Sequence, residues 1–152
     1  MRKIKRAMLF ATICLIIGIL SFNLLSKDSS YYTKAMKHNW SINLPGGYER
    51  VYDQREDKSS ANVLGDGNRY TVIKYNENPE FEDEITWTSS LSNSNKLEIV
   101  EVLETLEITL FPNVIDSNLK YYFQTKSENK LWMIYDEDNK FLYIIENSCD
   151  RD

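Results

Sequence analysis

The sequence is poor in the residues on which zinc sites and disulfide-stabilised domains depend. It contains two cysteines and one histidine in 152 residues. These residues do not supply the usual ligand set of zinc, which excludes a conventional zinc centre. The cysteines, Cys14 and Cys149, lie near opposite ends of the chain, so a disulfide framework is also excluded. The chain after residue 27 is long enough to form a hydrophobic core without such links.

The single histidine also limits the catalytic chemistry. Nucleophilic catalysis by a triad needs a base beside the nucleophile, and His38 is the only imidazole. It follows the N-terminal apolar stretch, whereas Cys149 is near the other end of the chain. We expect His38 to be a surface or packing residue and Cys149 to be a free thiol. We assign no catalytic residue, no metal ligand and no cofactor.

The charge balance is acidic. The formal net charge is −5, and it is about −9 without the four cations at the N-terminus. An acidic balance argues against nucleic acid and against an anionic membrane surface as partners. It fits either simple solubility or a cationic partner.

The strongest positive feature is a basic flank followed by an apolar stretch. Arg2, Lys3, Lys5 and Arg6 precede residues 7–26, which carry no charged side chain. A helix of this length spans about 30 Å, which is the thickness of the hydrocarbon core of a bilayer. The positive-inside rule then predicts a single-pass membrane protein with a cytoplasmic N-terminus and an extracytoplasmic C-terminal part.

Three interpretations of this stretch remain open. An uncleaved signal anchor is favoured, because the apolar run is longer than the core of a typical signal peptide. A signal peptide cleaved at a permissive site would instead release the rest of the chain as a secreted protein. Lipidation of Cys14 is the least favoured interpretation, because the bulky Ile13 precedes it where a small residue is expected.

The chain divides into four predicted parts, of which one is a folded domain. Tyr31, Tyr32 and Trp40 lie in the second part, where they fit either the membrane interface or packing on the domain. The parts are the basic flank and transmembrane helix (1–27), a membrane-proximal segment (28–44), an extracytoplasmic α+β domain (45–147) and a C-terminal tail (148–152).

The first half of the domain is predicted to contain two strands. Glycines at 46–47 and 65–67 mark tight turns before them. The Gly65-x-Gly67 pair has no following helix or Lys-Ser motif, so a phosphate-binding loop is not expected. The predicted strands cover residues 48–52 and 70–75, the predicted loops cover 53–62 and 76–84, and residues 85–88 form a short edge segment.

One amphipathic helix is predicted at residues 95–107. Ser94 or Asn95 can cap its N-terminus, and Pro112 prevents its continuation. An apolar stripe follows the helical period. Its members are Ile99, Val100, Val102, Leu103 and Leu106.

The last part of the domain is predicted to be a three-stranded meander over residues 121–126, 131–135 and 141–146. The middle run is apolar on both alternations, with Leu131 and Met133 on one face and Trp132 on the other. A strand of this kind should be central or covered. The predicted fold class is therefore α+β, with a mainly antiparallel sheet and the helix packed on one face.

Two acidic clusters are predicted to be solvated loops. They cover residues 80–84 and 136–138, and neither matches the calcium-binding loop of an EF-hand, because Lys140 stands where an acid or amide is needed. The ten tyrosines could furnish a sugar-binding or peptide-binding surface, but packing within the sheet is favoured.

The turn at residues 45–48, the run at 65–70 and the closing hairpin at 131–146, together with the basic anchor, resemble small uncharacterised membrane-anchored exported proteins of Gram-positive bacteria. The abundance of Asn, Lys and Ile fits the same source. The resemblance covers residues 44–146. It implies an exported domain but no catalytic residue and no ligand.

The functional hypothesis favoured by the sequence is a membrane-anchored extracytoplasmic module that binds a protein or cell-wall partner. One alternative is a cell-surface inhibitor or immunity-type protein, whose acidity would match a basic attacker. The other is a small cell-wall enzyme acting through carboxylates such as Asp66 or Glu84. Such an enzyme would need two carboxylates that converge in a concave site.

Overall fold

A computed structural model describes residues 31–56, 67–109, 111 and 119–148. Within these residues, five strands form one antiparallel sheet in the order β1-β2-β5-β4-β3. The expected α+β class with an antiparallel sheet is confirmed. The elements are α1 (residues 31–40), β1 (Tyr48–Arg55), β2 (Gly67–Tyr75), α2 (Asn93–Thr105), β3 (Leu119–Lys126), β4 (Asn129–Asp136) and β5 (Phe141–Ser148).

The transmembrane helix predicted at residues 7–26 lies outside the described residues, as do Cys14, Cys149 and Asp66. In the described ranges, neither helix has the length and apolar character needed to cross a bilayer.

Strands β3, β4 and β5 form the predicted meander. Lys126 pairs with Asn129, so the first turn has only two central residues, Ser127 and Glu128, instead of the four expected. Ser127 takes the left-handed conformation that such tight turns require, with φ of 59°. Because the turn is short, pairing continues further along each strand than the apolar pattern alone predicts.

Both faces of the central strand β4 are covered, as its two-sided apolar pattern predicted. Leu131 and Met133 belong to one core, and Trp132 and Ile134 belong to another on the opposite face. Helix α2 packs on the second core. The first core is covered by α1 and by the loop that carries Phe81.

Helix α1 is the element whose position the sequence left open. Tyr32, Met36 and Trp40 recur every four residues and are buried at 1–3% exposure, which places one continuous stripe of the helix on the sheet. Tyr31 points to solvent and is 47% exposed. Tyr32 and Trp40 therefore pack on the domain, and the sheet has helices on both faces rather than one.

Helix α2 begins two residues earlier than predicted. Its N-cap is Ser92, whose Oγ accepts a hydrogen bond from the backbone N–H of Asn95 at 3.1 Å, so neither Ser94 nor Asn95 is the cap. The predicted stripe is buried except for Val100, which is 49% exposed. Val100 lies beyond the flank of the helix that faces the sheet.

The C-terminus of α2 is set by local backbone geometry, well before Pro112. Glu107 adopts φ of 56°, and its N–H donates to the carbonyl of Glu104 at 3.0 Å. The N–H of Ile108 donates to the carbonyl of Leu103 at 2.9 Å. These two bonds define a Schellman motif with a glutamate at the position that usually carries glycine.

Strand β1 continues through residues 53–55, which the sequence assigned to a loop. Asp53 pairs with Thr71 and Arg55 pairs with Arg69, after an irregularity in the pairing between Arg50 and Tyr52. Of the charged residues that suggested a loop, Asp53 is bonded to Arg69 and Thr71, and Glu56 accepts from the backbone N–H of Asn68. The edge segment expected at 85–88 is reduced to one bridge between Thr88 and Tyr121.

Candidate functional site

An open cleft beside α2 is the candidate site. It has a volume of about 290 Å³ and is called the α2 cleft below. Four elements contribute to it: α2, β2, β4 and β5. Its lining residues are Asn68, Glu98, Glu101, Val102, Thr105, Lys130, Trp132 and Asn147.

The sheet register places three polar side chains in a row along one side of the cleft. Asn147 on β5 is the cross-strand partner of both Asn68 on β2 and Lys130 on β4. Directly opposed residues of antiparallel strands point to the same face. The side-chain Nδ2 of Asn147 donates a hydrogen bond to Oδ1 of Asn68 at 3.1 Å. The row is therefore fixed by backbone pairing and by its own hydrogen bond.

Helix α2 supplies the other side of the cleft. Glu98, Glu101, Val102 and Thr105 recur at spacings of three and four residues, so they line one flank of the helix. Nζ of Lys130 lies 2.7 Å from Oε2 of Glu98, and this ion pair joins the helix to the sheet at one end of the cleft.

Trp132 forms the apolar floor and is completely buried. Its indole Nε1 donates to Oδ1 of Asn95 at 3.2 Å, and its ring stacks on Phe123 with centroids 5.7 Å apart. The indole therefore has a satisfied donor and a fixed orientation.

The described lining of the cleft carries more negative than positive charge. Lys130 is the only cation among the described lining residues, and Glu98 already pairs with it. Glu101 forms no ion pair with a described residue. The last turn of α2 carries no basic residue, although the C-terminal end of a helix favours positive charge. The described residues thus offer hydrogen-bonding groups and one carboxylate in excess of their cation.

A second group of polar side chains lies between α1 and the edge strand β1 and is called the ionic cluster below. Asp53 accepts hydrogen bonds from Nε and an Nη of Arg69, each at 2.8 Å, and from Oγ1 of Thr71 at 3.0 Å. Arg50 donates to the same carboxylate at 3.0 Å. Burial alone would raise the pKa of Asp53, but the hydrogen bonds and charges of the two arginines outweigh it and hold the pKa below 3.8.

Glu146 of the ionic cluster is a buried carboxylate, with 8% exposure. It lies on β5 as the cross-strand partner of Arg69, and its Oε1 accepts a hydrogen bond from Nε1 of Trp40 at 2.7 Å. Burial raises the pKa of Glu146 above 4.5, against the opposing effects of the Trp40 hydrogen bond and the Arg69 charge. The two carboxylates are therefore perturbed in opposite directions.

Tyr32 closes the ionic cluster from the helix side. The guanidinium of Arg69 lies 4.8 Å from the centroid of its ring, a distance typical of a cation–π contact. Its hydroxyl is buried and has no hydrogen-bond partner in the described ranges, and burial, followed by the charge of Glu146, raises its pKa. Tyr32 and Glu146 are inaccessible, so the buried part of the ionic cluster fastens α1 to the sheet, and only the Asp53 end reaches the surface.

The residues singled out from the sequence do not meet in the structure. His38 and Glu84 are exposed, and Asp66 lies outside the described residues. In the cluster at 80–84, Glu82 accepts a hydrogen bond from Asn43 at 2.8 Å. In the cluster at 136–138, Glu137 pairs with Lys120 at 2.8 Å. The described part of the chain contains no group of three or more acids, histidines or cysteines placed to hold a metal ion.

Many of the aromatic side chains pack against one another on the α1 side of the sheet. Phe81 makes edge contacts with Trp87 and Tyr135, at centroid distances of 5.0 and 5.3 Å. Tyr75 contacts Phe81 in the same way at 6.1 Å. These rings cover the end of the sheet that α1 does not reach, so their faces are used for packing.

Sequence reasoning missed both the α2 cleft and the ionic cluster. Glu146 shares the strand parity of the apolar Leu142 and Ile144, which is a signal that it points inward. Arg69 and Thr71 have the same relation to Ile73. The cleft gives no comparable signal, because amides and acids at the start or end of strands are common at solvent-exposed positions.

No family model matches this chain, and neither the curated proteins nor the solved structures contain a match. Function is therefore proposed from the residues of the cleft and from the N-terminal sequence.

Proposed function

We propose that this protein is a membrane-anchored binding module that is held outside the cell by residues 7–26 and binds a polar ligand in the α2 cleft. The observation that carries the proposal is the cleft itself, in which four elements converge on a volume of about 290 Å³. Pockets for small molecules begin at roughly 300 Å³. The size therefore fits one small molecule, or one side chain or sugar unit of a larger partner.

The position of the cleft relative to the proposed anchor supports the same function. Only residues 27–30 separate the apolar stretch from the first described residue of α1. Four residues reach at most about 14 Å, so the anchor would keep α1 close to the bilayer. The cleft lies on the face of the sheet opposite α1. In this arrangement the tethered face and the binding face of the domain are different surfaces.

The two cysteines allow a direct test of the proposed topology. A membrane-impermeant maleimide applied to intact cells should label the full-length protein at Cys149, and Cys149→Ser should abolish the labelling. Cys14→Ser is the matched control and should leave it unchanged. Labelling that appears only after the cells are lysed would contradict an extracytoplasmic C-terminus. A shortened protein in the culture medium would instead support the cleaved, secreted alternative.

Site-specific crosslinking tests the binding function. A photoreactive amino acid is introduced at Thr105, which lines the cleft, and separately at Leu97, which is 72% exposed on α2 and does not line it. The full chain is irradiated in its native membrane. The proposal expects a defined adduct from position 105 only. Equal adducts from both positions, or none from either, would overturn it.

The alternatives from the sequence remain hypotheses. Glu84 is exposed and does not line the cleft, so no described feature favours the cell-wall enzyme. The excess negative charge of the described lining is compatible with an inhibitor of a basic protein, in which case the adduct at position 105 would be a protein.

A further inference from the structure

We propose that the α2 cleft recognises a primary ammonium group. This inference rests on the proposed binding function and specifies its ligand. The relevant residues are Glu101, which forms no ion pair with a described residue, the amide of Asn68 and the hydroxyl of Thr105, all of which line the same cavity.

The charge of the cleft selects a cation. Glu98 and Glu101 contribute two carboxylates, and Lys130, the only cation among the described lining residues, forms a 2.7 Å ion pair with Glu98. Glu101 has no such partner among the described residues and lies in the C-terminal half of α2, towards the end at which the helix dipole is negative. An anionic ligand would be repelled by both, whereas a cation would compensate both.

The hydrogen-bonding groups select an ammonium. A primary ammonium has three donors and no acceptor, so it needs several oxygen acceptors together. The carboxylate of Glu101 is one. Oδ1 of Asn68 receives one bond from Asn147 and has a second lone pair. Oγ1 of Thr105 donates to the carbonyl of Glu101 at 2.8 Å, which leaves its oxygen able to accept.

The floor of the cleft adds little to the recognition of an aliphatic chain. Val102 and Trp132 are 2% and 0% exposed, so they present almost no apolar surface to a ligand. The chain that carries the ammonium would therefore extend through the open side of the cleft, and the affinity would come mainly from the charged group. The same ligand chemistry occurs in free amines and in lysine-type side chains, so the test must distinguish these two sources.

The test is a ligand titration of the full-length protein in nanodiscs. Binding is monitored by NMR through the side-chain amide signals of Asn68 and Asn147. The probes are n-butylammonium, the uncharged n-butanol, and Nα-acetyl-lysine amide, whose side-chain ammonium is free. We expect butylammonium to shift these signals and butanol to have little effect. Tighter binding of the lysine derivative than of butylammonium would identify a peptide-borne side chain as the source, and the reverse order would identify a free amine.

Two matched variants locate the interaction. Glu101→Gln keeps the shape of the lining and removes its unpaired charge, so the affinity for butylammonium should fall about tenfold or more, as expected for the loss of a charge-assisted hydrogen bond. Glu104→Gln removes an exposed charge from the same helix without touching the lining and should change the affinity less than twofold.

Equal responses to butylammonium and butanol, or equal affinities of the two variants, would overturn the ammonium proposal. The binding function is tested separately by the crosslinks at positions 105 and 97. An adduct at position 105 without any response to butylammonium would refute the ligand class and leave the binding module intact. The absence of both would refute the two proposals together.

Discussion

Replacement of Glu146 by glutamine is expected to make the protein more stable at pH 8 and to leave its stability near pH 4 almost unchanged. The substitution removes a buried charge and keeps the shape of the side chain. The amide oxygen of the introduced glutamine can still accept the hydrogen bond that Trp40 donates to Glu146 at 2.7 Å. The new amide N–H can also donate to the buried hydroxyl of Tyr32, which has no hydrogen-bond partner within the described ranges.

The sign of the pH dependence follows from the raised pKa of Glu146. Burial raises this pKa above the ordinary value of 4.5, so the folded protein binds a proton at a pH at which the unfolded chain has released it. The resulting stabilisation is complete below about pH 4.5 and is lost as the pH rises through the pKa of the folded state. Glutamine does not titrate, so the variant should not lose stability over this range.

The size of the effect scales with the shift of the pKa. Each unit by which the folded-state pKa exceeds 4.5 corresponds to about 1.4 kcal/mol of stability lost by the wild-type protein between acid and neutral pH. The advantage of Glu146→Gln at pH 8 therefore measures the shift of the Glu146 pKa directly. In a domain of this size, 1 kcal/mol is a change of about 3–6 °C in the unfolding temperature.

The assay is urea unfolding of the full-length wild-type and variant proteins in the same detergent, at half-unit steps from pH 4 to pH 8. The difference between the two free energies of unfolding should increase with pH and reach a plateau. A variant that is less stable than the wild type at pH 8 would refute the assignment of Glu146 as a destabilising buried charge. So would a difference that does not depend on pH.

Three further substitutions probe the ionic cluster and the end of α2. Asp53→Asn should cost about 1–2 kcal/mol, because it removes the charge and one of the two acceptors of the partly exposed Arg69 guanidinium. Since the pKa of Asp53 is lowered, the carboxylate stabilises the folded protein above about pH 3.8, and this contribution is lost as the pH falls. Equal unfolding curves for variant and wild type at pH 7 would contradict this. Trp40→Phe should lower the free energy of unfolding by about 1–3 kcal/mol at pH 8, because it removes the donor to buried Glu146. The loss should be smaller at pH 4. An equal loss at both pH values in urea titrations would assign the effect to packing. Glu107→Gly should stabilise the protein by about 0.5–1 kcal/mol, because glycine adopts the observed φ of 56° without strain. The control Glu104→Gly, inside α2, should instead destabilise the protein by about 1 kcal/mol. Thermal unfolding that ranks the two variants in the opposite order would refute the assigned helix end.

The parts of the fold that could be predicted are those in which local pattern and tertiary position agree. The two-sided apolar pattern of residues 131–135 indicated a covered central strand, and β4 is one. The stripe formed by Ile99, Val102, Leu103 and Leu106 indicated a helix that packs on the sheet, and these residues are buried. In both cases the period of the apolar residues equals the period of the element.

The parts that were missed depend on partners that are distant in the sequence. Residues 53–55 are polar and were assigned to a loop, but Asp53 fits a strand because Arg69 and Thr71 on β2 bind its carboxylate. Tyr32 and Trp40 follow an apolar stretch, where a role at the membrane interface and a role in the core give the same local pattern. Only the assembled sheet distinguishes these roles.

The α2 cleft was missed for a related reason. Its polar side comes from Asn68, Lys130 and Asn147, which are separated by up to 79 residues and are brought together by strand register. A shift of a single residue in either pairing would turn one of these side chains to the other face of the sheet. The site is therefore a property of the register, which the sequence of each strand does not specify by itself.

The position of β5 has a consequence for how the protein folds. The last strand in the sequence lies between β2 and β4, and it supplies the hydrogen bonds that connect the β1-β2 pair to the β3-β4 pair. Until residues 141–148 are available, the two hairpins have no strand between them, and Trp40 has no Glu146 to contact. The β2-β5 pairing is the one strand pairing in the described sheet that joins segments distant in the sequence, and a pairing of this kind forms slowly. The complete sheet would then form only after residues 141–148 have emerged, and the loss of β5 alone would leave the β1-β2 and β3-β4 pairs unconnected.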